Sequence, residues 1–253
     1  MLGHGIAYSS SPGMQNAAFH SLGMDWTYEL LDVPPGGLGD AVRSLRLRDV
    51  AGANVTIPYK QSVMEQLDAI DPEAMRARAV NTIVKSAERL EGSNTDVAGI
   101  RAALDQVGLE PRGANAVILG AGGSARAAAV ALEGAHLWFA TRHPGDVDVP
   151  GKVIAWDDPV LPRLTRSADL LLNATPVGRA EEMPLHPRAL PRSGAVIDLV
   201  YVRGGTPLVR KARSLGLRTA DGWAVLLAQG AAAFEKWTGR PAPVDAMRET
   251  LTP

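Results

Sequence analysis

One stretch constrains the fold of this chain more than any other. An apolar run from Ala114 to Leu119 is followed at once by Gly120-Ala121-Gly122-Gly123 and then by small residues from Ser124 to Leu132. A continuous apolar run suits a strand covered on both faces, and the small-residue segment suits a helix packed closely against it. Asp169-Leu170-Leu171-Leu172-Asn173 and Ala195-Val196-Ile197-Asp198-Leu199-Val200 are further runs of the same kind, with a second strand candidate at His136 to Ala140. Thr206-Pro207 opens a helix that stops at Gly216, after which Leu217-Arg218-Thr219 resumes a strand. This alternation predicts a doubly wound parallel α/β sheet from about Val97 to Asp221.

The earlier part of the chain reads as a separate α/β domain. Val50 to Thr56 is a strand entering a loop, and Ala79 to Val84 is another strand. Ser11 and Pro12 open a helix, with Ser11 as N-cap, Pro12 in its first position and Gly23 near its end. From Val97 the apolar residues Ile100, Ala103, Leu104 and Val107 keep a helical period that Gly108 stops. Trp223 to Trp237 is an apolar tail helix that is expected to return to the first domain. The expected division is 1–97 plus 223–253 for one domain and 98–222 for a Rossmann-type domain.

Composition narrows the class. A formal net charge of −1 gives no field that would gather nucleic acid or an anionic membrane. No apolar run is long enough to span a bilayer, and Met1 to Gly5 lacks the features of a secretory leader. The absence of Cys excludes disulfides, thiolate metal sites and cysteine nucleophiles. A cytoplasmic protein without a metal is the expectation.

Gly120 to Ala125 fits G-x-G-x-x-G/A: a tight turn, close backbone approach to a pyrophosphate, and a helix N-terminus that favours the anion. An acidic residue for a ribose diol is expected about 20 residues on. The second strand ends instead in Thr141-Arg142-His143. Arg142 facing a 2′-phosphate would select NADP; a solvated arginine at a strand end is the alternative.

Two polar segments precede the glycine turn: Asn54-Val55-Thr56-Ile57-Pro58-Tyr59-Lys60 and Asn94-Thr95-Asp96. Only 5 of the 26 basic residues are Lys, and one of them, Lys60, sits in the densest polar motif. An amine and a carboxylate upstream of a nucleotide turn suit hydride transfer to a carbonyl with a proton supplied beside it. Lys60 also reads as a surface lysine opening a helix, and Asp96 as the N-cap of the helix from Val97. Asn81 lies within an apolar run and needs hydrogen-bond partners if buried. Ser9 and Ser11 also read as turn and cap residues, and Gln229 on the tail helix faces either solvent or a cleft.

Taken together these segments resemble the shikimate dehydrogenase family over nearly the whole chain. Tyr8 to Pro12 is similar to H-S-L-S-P, Asn54 to Lys60 to N-V-T-x-P-x-K, and Ala79 to Thr82 to A-V-N-T. Asn94 to Asp96 is similar to N-T-D, Gly120 to Ala127 to G-A-G-G-x-x-x-A, and Asn173 to Gly178 to N-A-T-P-x-G. Asp198 to Tyr201 and the Gln229-Gly230 pair also fit. The resemblance implies NADPH-dependent, reversible reduction of 3-dehydroshikimate to shikimate, with Lys60 and Asp96 as the catalytic pair. It implies that Ser9, Ser11 and Tyr201 hold the substrate carboxylate, and that Thr56, Asn81, Asp96 and Gln229 bind ring hydroxyls. Cofactor contacts fall on Gly120, Ala121, Gly122, Gly123, Ser124, Thr141, Arg142, Thr175, Leu199 and Gly222. The implied partner is the small-molecule substrate, with a homodimer left open and neither nucleic acid nor membrane involved.

The chain departs from the family pattern in places. Leu2-Gly3-His4 leaves almost no strand before the serine loop, which puts the first strand in question and reads as a truncated or misassigned start. Gln15 replaces a common His, and Arg179 replaces a frequent Met. The helix after Thr141-Arg142-His143 is mostly deleted, because the chain reaches Val153 quickly. Two other readings stay open: a relative acting on quinate or an aminated analogue, and a cofactor-binding regulator without activity.

Overall fold

The computed structural model describes residues 1–47 and 49–251. They form two units, Met1–Gly99 with the segment from Leu226 onward, and Ile100–Val225. The divisions therefore fall inside two helices rather than at their first residues.

The first unit runs through β1 (Leu2–Gly3), α1 (Ser11–Ser21), β2 (Leu31–Asp32), α2 (Leu38–Leu47), β3 (Gly52–Asn54), β4 (Ala69–Ile70), α3 (Pro72–Ala77), β5 (Thr82–Ser86) and β6 (Arg89–Ser93) to the start of α4 (Asp96–Gln106). A four-stranded sheet has the order β3-β5-β6-β4. Its first three strands are antiparallel, and β4 lies parallel to β6. β1 pairs in parallel with β2, and Leu2 also bridges to Val55, just beyond β3. The two sheets thus join into one mixed surface. α2 buries Leu38, Ala41, Val42 and Leu45 at the spacing of one helical face, and they pack with Val63, Ile83 and Leu90.

Three expectations change here. The first strand is present as an inner strand of two residues. Beside it opens a cavity of about 600 Å³, lined by Met1 and by residues 27–31 and 49–53. Ser11 is not the N-cap of α1: the helix begins at Ser11, Ser10 precedes it, and the Ser11 N–H bonds back to Ser9 Oγ at 3.2 Å. The strand expected from Ala79 begins only at Thr82. Arg78 adopts a left-handed conformation (φ 47°) to end α3, so the chain re-enters the sheet late.

The second unit takes the rest of α4 and then β7 (Asn115–Leu119), α5 (Gly123–Ala131), β8 (His136–Thr141), β9 (Lys152–Ala155), α6 (Leu161–Ser167), β10 (Leu170–Asn173), β11 (Ala195–Asp198), α7 (Pro207–Ser214), β12 (Arg218–Ala220) and the start of α8 (Gly222–Thr238). All six strands are parallel in the order β12-β11-β10-β7-β8-β9. Numbered from β7 this is the 3-2-1-4-5-6 Rossmann order, whose direction reverses between β7 and β10. Leu170, Leu171 and Leu172 are all fully buried, so consecutive residues on opposite faces are both covered. Between β8 and β9 the chain makes a short 3-10 turn, Pro144–Asp146, in place of a helix.

From Leu226 onward α8 belongs to the first unit. There Phe234 packs on Phe19 with ring centres 5.4 Å apart, and Trp237 Nε1 donates to Ile83 O at 2.9 Å. Gln15 Nε2 donates to Gly230 O at 2.9 Å. The last helix, α9 (Val244–Glu249), follows in the same unit and buries Met247.

The C-terminal ends of β10 and β11 are tied by a buried carboxylate. Asp198 accepts from Asn173 Nδ2 (2.9 Å), Val200 N (3.0 Å) and Thr206 Oγ1 (2.6 Å), and Asn173 Nδ2 also donates to Val177 O (2.9 Å). Burial pushes the Asp198 carboxyl up to about 6 from 3.8; the three hydrogen bonds oppose the shift and the charge of Asp221 adds to it. Below pH 4 the folded and unfolded states both carry the proton. Between about pH 4 and 6 the unfolded chain releases it while the folded one keeps it, so stability falls as pH rises, by roughly 3 kcal/mol in all. The urea-unfolding free energy of the protein minus that of Asp198→Asn is therefore expected to drop across this window and to be flat above pH 7. A difference that does not change with pH would assign the raised pKa to another group.

Candidate active site

The loop carrying Lys60 is clamped on both sides. Tyr59 N donates to Thr56 O at 2.9 Å, Val80 N donates to Lys60 O at 2.7 Å, and the Tyr59 hydroxyl donates to Val33 O at 2.7 Å. The Ile57–Pro58 peptide is cis. Lys60 therefore does not open a surface helix: its Nζ lies 2.5 Å from Asp96 Oδ2, and the two side chains are 12% and 13% exposed.

Asp96 is the first residue of α4 rather than its cap. The helix's leading backbone bond runs from Gly99 N to Thr95 O (3.1 Å), and the Asp96 N–H donates to Asn94 Oδ1 (3.1 Å). This leaves both carboxylate oxygens for other side chains. Oδ2 takes Lys60, and Oδ1 accepts Asn81 Nδ2 at 2.7 Å. The positive end of the helix dipole also favours the carboxylate there. Asn81, buried before β5, is held in turn: its Oδ1 accepts Thr95 N (2.7 Å) and Thr82 Oγ1 (2.9 Å). The Lys60 ammonium is thus held against a carboxylate in a largely buried setting. It is then placed to stabilise negative charge forming on an oxygen and to give that oxygen a proton.

Of the other candidates, Ser9, Ser11, Thr56 and Gln229 lie in the first unit and Tyr201 in the second. Ser9 and Ser11 are joined by the bond that opens α1. The Gln229 amide donates to Leu226 O within its own helix (2.9 Å), and the Tyr201 ring packs 4.9 Å from that of Trp223.

The glycine turn follows β7, at the reversal of strand order. Gly120 has φ +104°, and a Cβ there would stand 3.1 Å from Thr175 Cγ2 and 3.2 Å from Ala174 O, so any side chain there is both strained and crowded. A Cβ on Gly122 would meet nothing within 4 Å, so the backbone at the head of α5 faces open space. Gly123 and Ser124 form the first turn of α5, beside the buried Ala121. Backbone amides at a helix start with no side chain over them suit a pyrophosphate. Thr175, on the neighbouring loop, has both its N–H (3.1 Å) and its hydroxyl (2.7 Å) on Asn173 Oδ1. The Leu199 N–H donates to Asn173 O (3.0 Å), and a Cβ on Gly222 would lie 2.5 Å from Leu199 O. Thr141 ends β8, and Arg142 after it is exposed, with no acid at the strand end. These residues fit a dinucleotide with a 2′-phosphate.

Asn54, Thr82, Thr95 and Asp198 were not assigned roles by sequence. All four are buried and polar. The signal was available for Asp198, since a carboxylate inside an unbroken apolar run must find donors.

Comparison with known proteins agrees with this architecture. Residues 1–83 match the model of the shikimate dehydrogenase substrate binding domain, and residues 222–252 that of the shikimate 5′-dehydrogenase C-terminal domain. The chain is 43% identical to the shikimate dehydrogenase (NADP(+)) of Moorella thermoacetica, over 99% of this chain and 91% of that one. It is 40% identical to that of Methanopyrus kandleri, over 99% and 93%. The crystal structure of shikimate 5-dehydrogenase from Thermus thermophilus in complex with NADP(H) and shikimate superposes with a TM-score of 0.87 at 36% identity, covering 99% of this chain and 96% of that one. The chain belongs to the shikimate dehydrogenase family.

Proposed function

We propose that this protein catalyses the reversible reduction of 3-dehydroshikimate to shikimate with NADPH, in the biosynthesis of aromatic amino acids. The observation that carries this reading is the Lys60–Asp96 pair, at 2.5 Å and largely buried, in a chain whose relatives are NADP-dependent shikimate dehydrogenases. NADPH supplies the hydride. Lys60 Nζ stabilises the negative charge that forms on the substrate's carbonyl oxygen and gives it a proton. Asp96 Oδ2 orients the ammonium, and its Oδ1, braced by Asn81, takes a ring hydroxyl together with Asn81, Thr56 and Gln229. Ser9 and Ser11 hold the substrate carboxylate, since hydroxyl donors suit an anion. In oxidation of shikimate the same pair works in reverse, with the Lys60 amine accepting the alcohol proton.

In the cofactor's site the open backbone of Gly122 to Ser124 takes the pyrophosphate, and Arg142, with Thr141, takes the 2′-phosphate. Ala121, Thr175, Leu199 and Gly222 shape the remaining wall. The domain carrying Lys60 and Asp96 is the substrate-binding one, and the parallel sheet carries the cofactor. A cytoplasmic location suits a cysteine-free biosynthetic enzyme that draws on NADPH. Sedimentation of the purified protein decides between a homodimer and a single chain.

Steady-state assays with shikimate and NADP⁺, and then with quinate and NAD⁺, test the assignment. Turnover confined to quinate would move the chain to a different substrate, and none with any pair would leave a binding protein. Lys60→Ala is expected to lower kcat by about 10²- to 10⁴-fold with little change in KM for shikimate; unchanged turnover would remove Lys60 from the chemistry. Arg142→Ala is expected to raise the Kd for NADP⁺ about tenfold and to leave NAD⁺ binding unaltered. Equal effects on both cofactors would rule out the 2′-phosphate contact.

A further inference from the structure

A line of buried polar groups leads from the Lys60–Asp96 pair through the sheet of the first unit. The Tyr28 hydroxyl donates to Asn54 Oδ1 over 2.6 Å. Asn54 Nδ2 then donates both of its protons, one to Thr82 Oγ1 (3.0 Å) and one to Asn81 O (3.1 Å). Thr82 Oγ1 donates to Asn81 Oδ1 (2.9 Å), and Asn81 Nδ2 donates to Asp96 Oδ1 (2.7 Å). Tyr28, Asn54, Thr82 and Asn81 are each less than 9% exposed.

Proton accounting fixes the direction of this line. The Asn54 amide has two N–H bonds and both are used, so its oxygen must accept, and Tyr28 must donate to it. Thr82 accepts from Asn54, and its one proton reaches Asn81 Oδ1 directly (2.9 Å) or by way of Thr95 Oγ1 (3.0 Å), which in turn donates to Asn81 Oδ1 (3.2 Å). On either route the donors of the line run toward the Asp96 carboxylate, and only the second Asn54 proton, given to Asn81 O, leaves it. Hydrogen bonds aligned head to tail in a low-dielectric interior polarise one another, which makes the last donor stronger. At the other end the Tyr28 ring is held against Trp237, with centres 5.8 Å apart, and Trp237 is itself anchored on Ile83 O.

We propose that Tyr28 is a positioning residue for the Lys60–Asp96 pair, acting through Asn54, Thr82 and Asn81. It touches no reacting atom. It sets the orientation of the Asn81 amide, which holds the Asp96 carboxylate in the rotamer that meets Lys60. The inference rests on the reading of Lys60 and Asp96 as the catalytic pair.

A double-mutant cycle tests it, with Tyr28→Phe, Asp96→Asn and the combination assayed for kcat and KM with shikimate and NADP⁺. Tyr28→Phe keeps the ring and removes only the donor. It is expected to lower kcat about five- to tenfold, without change in KM for NADP⁺. In the Asp96→Asn background the same change is expected to cost less than about twofold, because the carboxylate it acts on is gone. Equal fold-losses in the two backgrounds, or a Tyr28→Phe enzyme with full kcat, would overturn the inference and leave the catalytic pair untouched. An Asp96→Asn enzyme with full turnover would overturn the catalytic pair and this inference with it. Should Tyr28→Phe fail to fold by circular dichroism, Thr82→Val breaks the line nearer the site and is expected to show the same pattern.

Discussion

An ammonium withdrawn from water needs a carboxylate within reach, and in this protein Asp96 meets that need for Lys60 across 2.5 Å. The contact sets what the surrounding segments must do. α4 has to begin where it does, so that a carboxylate rather than a capping hydroxyl stands in its first turn. Thr95 accepts the first helix bond, and Asn94 turns the chain beneath Asp96. The Lys60 loop has to be stiff, because a long side chain loses much rotamer freedom when fixed. Its backbone is accordingly bonded to Val80, and its neighbour Tyr59 to Val33. A buried ion pair is weak evidence of stability in itself, so its presence with such support points to use rather than to folding.

The two units build their sites from different material. In the first unit the work is done by side chains: Lys60, Asp96 and Asn81 converge, and each of the three is held by named partners. In the second unit it is done by backbone. Gly120 permits a turn that a side chain would strain and crowd, Gly122 leaves amides uncovered at the head of α5, and Gly222 lets that chain pass against Leu199 O. Amides presented by a helix start do not depend on residue identity beyond the need for glycine, which suits a phosphate. A ring of hydroxyls and a carbonyl demand donors and acceptors at several separate points, which only side chains supply.

That difference explains how much of the molecule was legible in its sequence. The strand, glycine turn and small-residue helix stood out because parallel strands covered on both faces read as unbroken apolar runs, as β7, β10 and β11 do. The glycines were visible because a backbone site is written in them. β1, β2 and β4 have two residues each, too few for any period, and their existence depends on partners distant in the chain. Ser11 was misplaced by one position because three consecutive serines carry the same capping preference, and only the backbone conformation chooses among them. Asn81 could be singled out as an amide in an apolar run, but Asn54, Thr82 and Thr95 could not be joined to it. Their meeting is a matter of antiparallel register, with Asn54 opposite Thr82 and Thr82 opposite Ser93.

The two buried carboxylates show how partners decide what a charge can be used for. Asp198 is surrounded by neutral donors: an amide, a hydroxyl and a backbone N–H. These stabilise the anion less than water would, so its proton is held to about pH 6, and folding bears the difference above that. What the fold gains is geometric, since one side chain joins the ends of β10 and β11 to the start of α7 and so fixes the loops bearing Thr175 and Leu199. Asp96 has a cation on one oxygen and an amide on the other, so its charge is compensated where it stands. A cage of neutral donors gives position and leaves the carboxyl without a counter-charge. A carboxylate paired with an amine gives position together with a counter-charge, and in the proposed mechanism that amine is the group that gives and recovers the proton.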